Sequence, residues 1–216
     1  MAAMTAVRPA RLPLGQTGFA RVSGVSRETL EKLTVYVELL SQWNRRINLV
    51  SANTMGDVWR RHILDCAQLA KYLPRQARVV VDLGAGAGLP GLVLAAMGVP
   101  QMHLVEFDLR KSAFLREAAR IMDVPVTLHP ERIDKVAAFP ADAVVARACA
   151  PLDQLIDFSE NFLSPASVCL FLKGEGAGAE LATARAGWSF SSESIPSLSD
   201  PSGAILKLSA IRRAAP

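Results

Sequence analysis

The clearest chemical pattern in the sequence lies in residues 79–91, where an apolar run ends around Asp82 and a glycine-rich turn follows. Gly84, Gly86 and Gly88 occupy alternate positions, so the backbone can turn tightly and approach a ligand without an intervening Cβ. In open α/β sheets, a turn of this kind at the carboxyl end of a strand binds nucleotide-like ligands. Dinucleotide sites use Gly-x-Gly-x-x-Gly, so the Gly-x-Gly-x-Gly spacing favours S-adenosylmethionine instead.

Acidic and apolar residues at neighbouring strand ends fit the same ligand. Glu106 follows Asp82 by 24 residues and could accept hydrogen bonds from both ribose hydroxyls of an adenosine group, or could simply cap a helix. Asp82 could anchor the loop amides or contact a ligand ammonium. Ile133 and Asp134 follow the third predicted strand, where an apolar side chain can pack on adenine and a polar group can bind its edge. Ordinary surface-turn residues are the alternative for this pair.

Two cations end apolar strands, and a histidine and an aspartate precede the sheet. Arg147 follows the apolar residues 143–146, so we expect a carboxylate, a phosphate or the cofactor beside it. Lys173 ends the fifth strand in the same way, with a surface lysine as the alternative. His62 and Asp65 are three residues apart and could bond to each other on one helix face, either as a structural pair or as part of the site. No Ser-His-Asp or Cys-His set and no metal-ligand spacing is visible, so we expect no metal.

The elements that would position these residues alternate between strand and helix. Alternation of this kind predicts a parallel sheet with helices on both faces. Two final segments, separated by a turn rich in Pro and Ser, predict a hairpin that adds one antiparallel strand. The predicted strands cover residues 79–83, 102–106, 125–129, 142–147, 167–173, 188–194 and 203–210. The predicted helices cover residues 89–97, 109–122, 131–137, 151–162 and 177–186.

The residues before the sheet predict a small helical lobe. Ser26 is a suitable N-cap for a helix that reaches Trp43, and a second helix is expected over about 54–72. The earlier residues contain Arg8, Arg11 and Arg21 but no acid and no clear period, which indicates a flexible basic tail or, alternatively, an organelle transit peptide. The predicted organisation is a tail over 1–25, a helical lobe over 26–75 and a sheet domain over 76–216.

Charge and cysteine usage narrow the partners and the compartment. Residues 1–78 carry 12 Lys and Arg against 5 Asp and Glu, whereas residues 79–216 carry 12 against 15. A basic front lobe favours a polyanionic substrate, although an ordinary solvated surface would look similar. The three cysteines suggest neither a disulfide framework nor a zinc site, which fits a reducing cytoplasm. Since no apolar run approaches the roughly 20 residues of a membrane span, we expect a cytoplasmic protein with no membrane partner.

Six motifs occur in one order between about residues 30 and 175. They are Trp43-Asn44-x-x-Ile47-Asn48-Leu49, Arg61-His62-Ile63-Leu64-Asp65, the run from Asp82 to Gly91, Glu106-x-Asp108-x-Arg110-Lys111-x-x-Phe114-Leu115, Arg147-Ala148 and Leu172-Lys173-Gly174. Together they closely resemble the RsmG (GidB) family of bacterial 16S rRNA guanine-N7 methyltransferases. The departures, Val50-Ser51, Cys66, Phe107 and Ala146, lie beside the motif positions and put fine substrate contacts in doubt more than cofactor binding.

The resemblance implies a fold and a reaction. The fold is the class I S-adenosylmethionine-dependent methyltransferase fold, a Rossmann-like α/β seven-stranded sheet with the last strand antiparallel. The reaction is methyl transfer from S-adenosyl-L-methionine to N7 of guanine 527 in 16S rRNA, either naked or in a 30S particle, by a protein expected to be a monomer. By position, the family's cofactor contacts fall on Gly84, Leu89, Ile133, Asp134 and Arg147.

Guanine N7 has an in-plane lone pair and no proton to lose, so the expected reaction needs no general base and depends on positioning. Arg147 and Lys173 are the predicted catalytic residues, and no exposed aromatic clamp is readable from the sequence. The residues predicted to hold RNA are Arg45, Arg46, Arg60, Arg61 and His62. A nicotinamide-dependent oxidoreductase and a non-catalytic RNA-binding module are the alternatives. The glycine spacing and the lack of a second domain argue against the first, and the intact glycines and Glu106 argue against the second.

Overall fold

One seven-stranded sheet forms the centre of the computed structural model, which describes residues 12–214. Its strands are β1 (Val79–Leu83), β2 (Gln101–Val105), β3 (Val126–His129), β4 (Ala143–Arg147), β5 (Val168–Lys173), β6 (Trp188–Pro196) and β7 (Ala204–Arg213). Their order across the sheet is β3-β2-β1-β4-β5-β7-β6, with β7 antiparallel to both of its neighbours. The predicted parallel sheet with one antiparallel strand from a terminal hairpin is confirmed.

The strand order reverses at β1, which pairs with β2 on one side and β4 on the other. Asp82 is opposite Leu104 of β2 and Val145 of β4, so these three strands run in parallel toward one edge. The loops that follow them meet there, which is where an open α/β sheet binds its ligand.

Helices cover both faces of the sheet. They are α1 (Gln16–Ser23), α2 (Arg27–Trp43), α3 (Asp65–Ala67), α4 (Gly91–Ala96), α5 (Leu109–Met122), α6 (Leu152–Ser159) and α7 (Ala177–Ala184). Buried residues of α2, α4 and α5 form one apolar cluster with Val80, while those of α6 and α7 form a second with Val81 and Leu83. Because side chains alternate along β1, Asp82 lies on the same face as Val80.

The front helices pack directly on the sheet domain. The Tyr36 hydroxyl donates to the carbonyl of Ala87 in the glycine loop at 2.6 Å. The Trp43 ring meets Phe114 of α5 edge to face, with 5.6 Å between the ring centroids. Ser26 caps α2 as predicted, since its side chain accepts from the N–H of Thr29. The division of the chain near residue 75 stays a prediction, because one apolar core joins both parts.

The structure differs from the expected tail over residues 1–25. Residues 1–11 lie outside the described residues, but Gln16–Ser23 form α1, so the flexible tail is wrong for these positions. Phe19 is buried, and its ring centroid is 5.4 Å from that of Trp59. The Leu14 N–H also donates to Asp57 at 2.6 Å. Burial of the Phe19 side chain stabilises this short helix, and the weak periodicity of its sequence does not reveal that contribution.

Two predicted helices take irregular forms. Residues 54–72 are helical, but as short turns: a 3₁₀ turn over Ala52–Asp57, a π turn over Trp59–Leu64, then α3 and a final 3₁₀ turn over Gln68–Tyr72. The helix predicted over 131–137 is wrong, because only Ile133–Lys135 form a 3₁₀ turn. The chain is extended at Val136, which is buried.

Candidate active site

The glycine loop after β1 needs its glycines for two separate reasons. Gly84, Gly86 and Gly88 have φ values of 65°, 57° and 81°, a region that disfavours residues with a Cβ. A Cβ on Gly84 would also overlap the thiol of Cys149, and one on Gly91 would lie 2.7 Å from Asp82 Oδ2. The loop is therefore a close-fitting backbone cradle, as the sequence predicts.

Asp82 is fully buried beneath this loop. Its Oδ2 accepts from the N–H of Gly91 at 2.8 Å, which ties β1 to the start of α4. Its Oδ1 has no hydrogen-bond partner among residues 12–214. Burial raises the pKa of this carboxyl to about 8, against the opposing effects of the Gly91 N–H and the Arg147 charge. Asp82 thus anchors the loop, and its predicted contact with the cofactor stays a prediction.

Glu106 joins the glycine loop to the start of α5. One carboxylate oxygen accepts from the N–H of Gly86 at 2.9 Å, and the other accepts from the N–H of Asp108 at 2.8 Å. The side chain is buried yet lines two of the cavities at this edge of the sheet. Asp108, rather than Glu106, is the residue that caps α5. Glu106 is therefore placed to exchange backbone donors for ligand hydroxyls.

Three cavities follow the carboxyl edge of the sheet, and we call them together the trough. The first, of about 200 Å³, is lined by Glu106, Phe107, Ile133 and Asp134, among others. The second, of about 280 Å³, lies over the glycine loop and shares Glu106 and Phe107 with the first. The third, of about 770 Å³, shares Arg147, Ala148 and Cys149 with the second. Cys149 lines all three, so the trough is continuous from the Ile133 end to the Arg147 end.

Seven of the nine predicted cofactor residues line the first two cavities, and Asp82 and Gly88 line neither. Ile133 and Asp134 line the first cavity, while Leu89, Arg147 and the first two loop glycines line the second. Asp134 is half exposed and bonds to Arg132 at 2.9 Å. Gly88 supports the loop from behind, because a Cβ there would meet Leu92 and Leu115 rather than a cavity.

Arg147 is held by three acceptors at the boundary between the second and third cavities. Its Nη2 donates to Nδ1 of His62 at 2.7 Å, and its Nη1 donates to the Arg61 carbonyl at 3.1 Å and to Asp65 Oδ2 at 3.3 Å. The carboxylate expected beside Arg147 is confirmed. The Arg61 carbonyl belongs to the π turn, whose irregular hydrogen bonding coincides with this external contact.

His62 is a neutral acceptor in this network. A guanidinium can only donate, so Nδ1 of His62 must carry no proton. Its Nε2 is 2.7 Å from the Thr54 hydroxyl, which itself donates to the Ser51 carbonyl at 2.6 Å, so Nε2 is assigned the proton. Burial, together with the Arg147 and Arg61 charges, lowers the pKa of His62 to about 3. The His62–Asp65 bond suggested by their spacing is wrong, because both residues bond to Arg147 instead.

The turn between β6 and β7 closes the wall behind Asp65. The Oδ1 of Asp65 accepts from the hydroxyls of Ser197 and Ser199, and Gln68 bonds both to the Asp65 side chain and to the backbone of this turn. Arg61 pairs with Asp200 at 2.7 Å. The sequence identified this stretch only as a turn rich in Pro and Ser, and its function in holding Asp65 was missed. Contacts between residues more than 130 positions apart leave no local pattern.

Lys173 lines the third cavity, but its charge is already paired. Its Nζ lies 2.7 Å from Glu180 and 2.6 Å from the carbonyl of Ala150, and its side chain is only 8% exposed. Glu180 also accepts from the N–H of Leu152 at the start of α6. The structure therefore gives Lys173 a part in building the cavity wall, and its predicted catalytic function stays a prediction.

The five predicted RNA-binding residues have different surroundings. Arg45 and Arg46 are exposed and have no ion pair with another residue of the described chain. Arg60 instead pairs with Asp57 at 3.1 Å and donates to the Leu12 carbonyl at 2.8 Å. Arg61 pairs with the β6–β7 turn, and His62 is buried against Arg147.

An aromatic side chain that the sequence did not identify stands at the rim of the trough. Phe107 is 70% exposed and lines both the first and the second cavity, and Leu109 beside it is 72% exposed. The sequence offered one signal for this residue. Phe107 is apolar and directly follows the strand-end Glu106, at a position where the alternating pattern of the strand has already ended. The expectation of no readable aromatic clamp therefore overlooked an exposed ring next to the site.

The described residues offer neither a cluster of metal-ligating side chains nor a membrane-spanning helix. Residues 12–214 contain no group of three His, Cys, Asp or Glu side chains suited to a metal ion. None of the helices in that range is long and apolar enough to cross a membrane.

Comparisons with known proteins agree with this geometry. The family model described as GidB, rRNA small subunit methyltransferase G, matches residues 29–205. A protein named ribosomal RNA small subunit methyltransferase G from Rhodospirillum centenum is 53% identical over 195 residues, which cover 90% of each chain. One of the same name from Rhodospirillum rubrum is 50% identical over 196 residues, covering 91% of this chain and 98% of that protein.

Two solved structures are similar in fold. M. jannaschii TYW2 in complex with AdoMet has a TM-score of 0.58 at 17% identity, covering 79% of this chain and 80% of that chain. The ribosomal protein L11 methylase from Lactobacillus delbrueckii subsp. bulgaricus has a TM-score of 0.55 at 16% identity, covering 69% and 77%. The predicted fold class, a seven-stranded methyltransferase sheet with an antiparallel strand, is confirmed.

Proposed function

We propose that this chain, which belongs to the family of rRNA small subunit methyltransferase G, methylates N7 of guanine 527 in 16S rRNA with S-adenosylmethionine as donor. Family membership supports methyl transfer to small-subunit rRNA, and the ring atom and the position are the finer part of the proposal. The observation that carries it is the trough, in which the cavity over the glycine loop adjoins a larger cavity, with Arg147 fixed at the boundary between them.

The residues present fit S-adenosylmethionine. Gly84 and Gly86 offer a backbone surface that a Cβ would fill or strain, and Glu106 offers two carboxylate oxygens to the ribose hydroxyls. Ile133 and Asp134 line a cavity suited to the adenine. The cofactor supplies an electrophilic methyl group on sulfur, and the protein's contribution is to hold guanine N7 in line with it.

Arg147 is suited to positioning the base. Three of its five N–H donors are engaged by His62, Arg61 and Asp65, which leaves two for a guanine oxygen or a phosphate. Because these acceptors fix the guanidinium, the remaining donors have a defined direction before the RNA arrives. Fixed alignment of this kind can supply up to about 7 to 11 kcal/mol of the barrier reduction.

The charges in the third cavity also suit N7 methylation. Methyl transfer moves positive charge from sulfur onto the guanine, so an unpaired cation beside the ring would oppose the reaction. Arg147 is paired with Asp65, Lys173 with Glu180 and Arg61 with Asp200, so each of the three cations that line this cavity has a carboxylate within 3.3 Å. No residue has to accept a proton, because N7 carries none.

Other features of the protein stay predictions. These are a monomeric state, a cytoplasmic location, the division between helical lobe and sheet domain near residue 75, and the form of the substrate, whether naked 16S rRNA, a 30S particle or an assembly intermediate. The enzyme itself can distinguish these substrates in a methylation assay.

The test combines cofactor binding with mapping of the product. Purified protein is titrated calorimetrically with S-adenosylmethionine, with NAD as a parallel ligand, and is then incubated with 16S rRNA or 30S subunits from cells that lack the enzyme. Mass spectrometry of the RNA is expected to place one methyl group on N7 of guanine 527. Cofactor binding followed by methylation elsewhere, or by none on either substrate, would overturn the proposal.

A pair of glycine variants ties the activity to this cradle. Gly84→Ala places a Cβ against the Cys149 thiol at a φ of 65°, so we expect loss of S-adenosylmethionine binding. Gly178→Ala, in α7, meets nothing within 4 Å and is the matched control, with binding retained. Equal affinity in the two variants would contradict the placement of the cofactor on the loop.

A further inference from the structure

A groove outside the trough is lined by arginines from two elements. It lies between the end of α2, with the turn that follows, and the first turns of α5, and has a volume of about 520 Å³. Its walls include Trp43, Arg45, Arg46, Ile47, Arg110 and Ala113. We call it the arginine groove.

The turn that presents two of these arginines is internally fixed. The Oδ1 of Asn44 accepts from the N–H groups of Leu49 and Val50, each at 2.9 Å, and its Nδ2 donates to the Val50 carbonyl at 3.0 Å. One amide side chain therefore closes the turn on both sides. Arg45 and Arg46 lie inside this closed turn, so their backbone position is set before any partner binds.

Positive charge dominates the groove, because only one of its three arginines has an acidic partner among the described residues. Residues 39–56 contain no Asp or Glu, and Arg45 and Arg46 make no ion pair within the described chain. The acid closest to the third arginine is Asp108, whose Oδ2 lies 3.3 Å from Arg110 Nη2. Asp108 also caps α5 by accepting from the N–H groups of Arg110 and Lys111. The N–H groups at the start of α5 therefore offset much of the negative charge of Asp108. The three arginines remain available to bind an external anion.

The same two elements line the groove and the trough. Leu49 and Val50, at the end of the fixed turn, line the second cavity over the glycine loop. Lys111, next to Arg110 in α5, lines the same cavity. A polyanion lying in the groove would therefore follow elements that also border the place where the methyl donor is proposed to bind.

We propose that the arginine groove binds the phosphates of the RNA strand next to the target nucleotide. The inference rests on the proposed function for the identity of the polyanion and adds the path that this polyanion takes. Arginine suits the task because its planar fork donates two parallel hydrogen bonds to a phosphate. Arg110, which the sequence did not assign to RNA, completes the set.

The experiment measures the salt dependence of RNA binding. The triple variant Arg45→Ala, Arg46→Ala, Arg110→Ala is compared with wild type by filter binding to deproteinised 16S rRNA and, separately, to 30S subunits from cells that lack the enzyme. Three lost phosphate contacts should reduce the slope of log K against log salt by about 2, since each contact to single-stranded RNA contributes about 0.7. That loss of slope corresponds to an affinity about 100-fold weaker near 0.1 M salt.

Matched controls separate a local contact from total charge. Arg27 and Arg120 are exposed arginines at the far ends of α2 and α5, so the double variant Arg27→Ala, Arg120→Ala removes two positive charges, one fewer than the triple variant, at a distance from the groove. We expect that double variant to keep the wild-type slope to within about one contact. Replacing the three groove arginines by lysine should recover most of the slope, because lysine also binds phosphate as a point charge.

Each outcome bears on the groove independently of the catalysed reaction. A wild-type slope in the triple alanine variant, or an equal loss in the Arg27 and Arg120 control, would overturn the proposal. A loss seen only with 30S subunits would place a ribosomal protein in the groove and would also overturn it. S-adenosylmethionine affinity should be unchanged in every variant. If the wild-type protein binds RNA with the expected slope but does not methylate it, the proposed function fails and the groove stands.

Discussion

Replacing Asp65 by asparagine should damage catalysis more than cofactor binding. The substitution keeps the size of the side chain but removes the negative charge that faces Arg147. The asparagine must also point its amide N–H groups either toward the guanidinium or toward the serine hydroxyls that donate to Asp65. If the amide N–H faces Arg147, the guanidinium keeps only His62 and the Arg61 carbonyl as acceptors, and if the amide oxygen faces it, the guanidinium loses the negative charge of its third acceptor. We expect it to lose its fixed direction at the boundary of the second and third cavities.

The size of the effect follows from burial. The side chains of Arg147 and Asp65 are 18% and 16% exposed, so their pairing is partly screened by water. Breaking a fully buried pair costs about 3 to 5 kcal/mol, and the remaining exposure together with the two surviving acceptors reduces this to about 2 kcal/mol. For a chain of this length, that should lower the Tm by about 4 to 8 °C. Misplacing a reacting group by about 1 Å costs on the order of 100-fold in rate, so kcat should fall by about 10- to 100-fold.

The assay is single-turnover methylation at saturating cofactor, beside calorimetric titration with S-adenosylmethionine and thermal unfolding. Asp157→Asn is the matched control, because Asp157 pairs with Arg213 on the surface, where its side chain is 53% exposed. An exposed pair contributes about 0 to 1 kcal/mol, so that variant should behave like wild type. Unchanged kcat and Tm in Asp65→Asn would refute the idea that Asp65 fixes Arg147. An equal loss of cofactor affinity and rate would refute a positioning function.

Three further predictions concern the pH response, the trough rim and the cavity wall. The pKa of His62 is lowered to about 3 in the folded state, whereas histidine in the unfolded chain has a pKa of about 6.5. Below about pH 6.5 the unfolded chain therefore binds a proton on His62 that the folded protein does not. The free energy of unfolding should fall with falling pH, by about 1.4 kcal/mol per pH unit. Asp82, whose folded pKa is about 8, changes stability with pH in the opposite sense. The test therefore compares the free energy of unfolding in urea of wild type with that of His62→Gln, at pH 5.5 and at pH 6.5. If this free energy changes equally with pH in the two proteins, the assignment of His62 is contradicted. Phe107→Ala should weaken S-adenosylmethionine binding about fivefold, because stacking on an aromatic side chain contributes about 1 kcal/mol at its lower limit. Phe107→Leu should recover part of this affinity. Equal calorimetric Kd values for wild type and Phe107→Ala would exclude a contact between Phe107 and the cofactor. Glu180→Gln leaves Lys173 without its carboxylate partner in a cavity wall that faces developing positive charge, so kcat should fall. Glu175→Gln, at an exposed site, should leave kcat unchanged. Equal kcat values in the two variants would remove charge compensation from the mechanism.

The sequence predicts the cofactor end of the site better than the substrate end for a physical reason. The glycine loop, Glu106 and Ile133 each lie directly after a parallel strand, and the carboxyl ends of parallel strands meet at one edge whatever the rest of the chain does. Local pattern and sheet topology together therefore bring them to one place. The strands themselves are predicted to within a few residues, because buried β-branched runs between turn residues have few alternative conformations.

The substrate end depends on contacts that no local period encodes. Arg147 reaches Asp65 across 82 positions, and Asp65 reaches Ser199 across 134. The spacing of His62 and Asp65 predicted a shared helix face but not the common third partner. The π turn that contains Arg61, and the burial of Phe19 in α1, are decided by packing rather than by propensity.

The distribution of paired and unpaired cations suggests how one basic protein can bind RNA and still methylate a base that becomes cationic. In the third cavity, Arg147 and Lys173 are each matched by a carboxylate, so little net positive charge faces the reacting ring. In the arginine groove, the charges of Arg45 and Arg46 are unmatched within the described chain. Affinity for phosphate and tolerance of a developing charge are opposing electrostatic requirements, and separating them in space satisfies both. Moving positive charge from the groove into the trough should therefore retain RNA affinity while lowering kcat, a combination that an increase in net charge alone cannot produce.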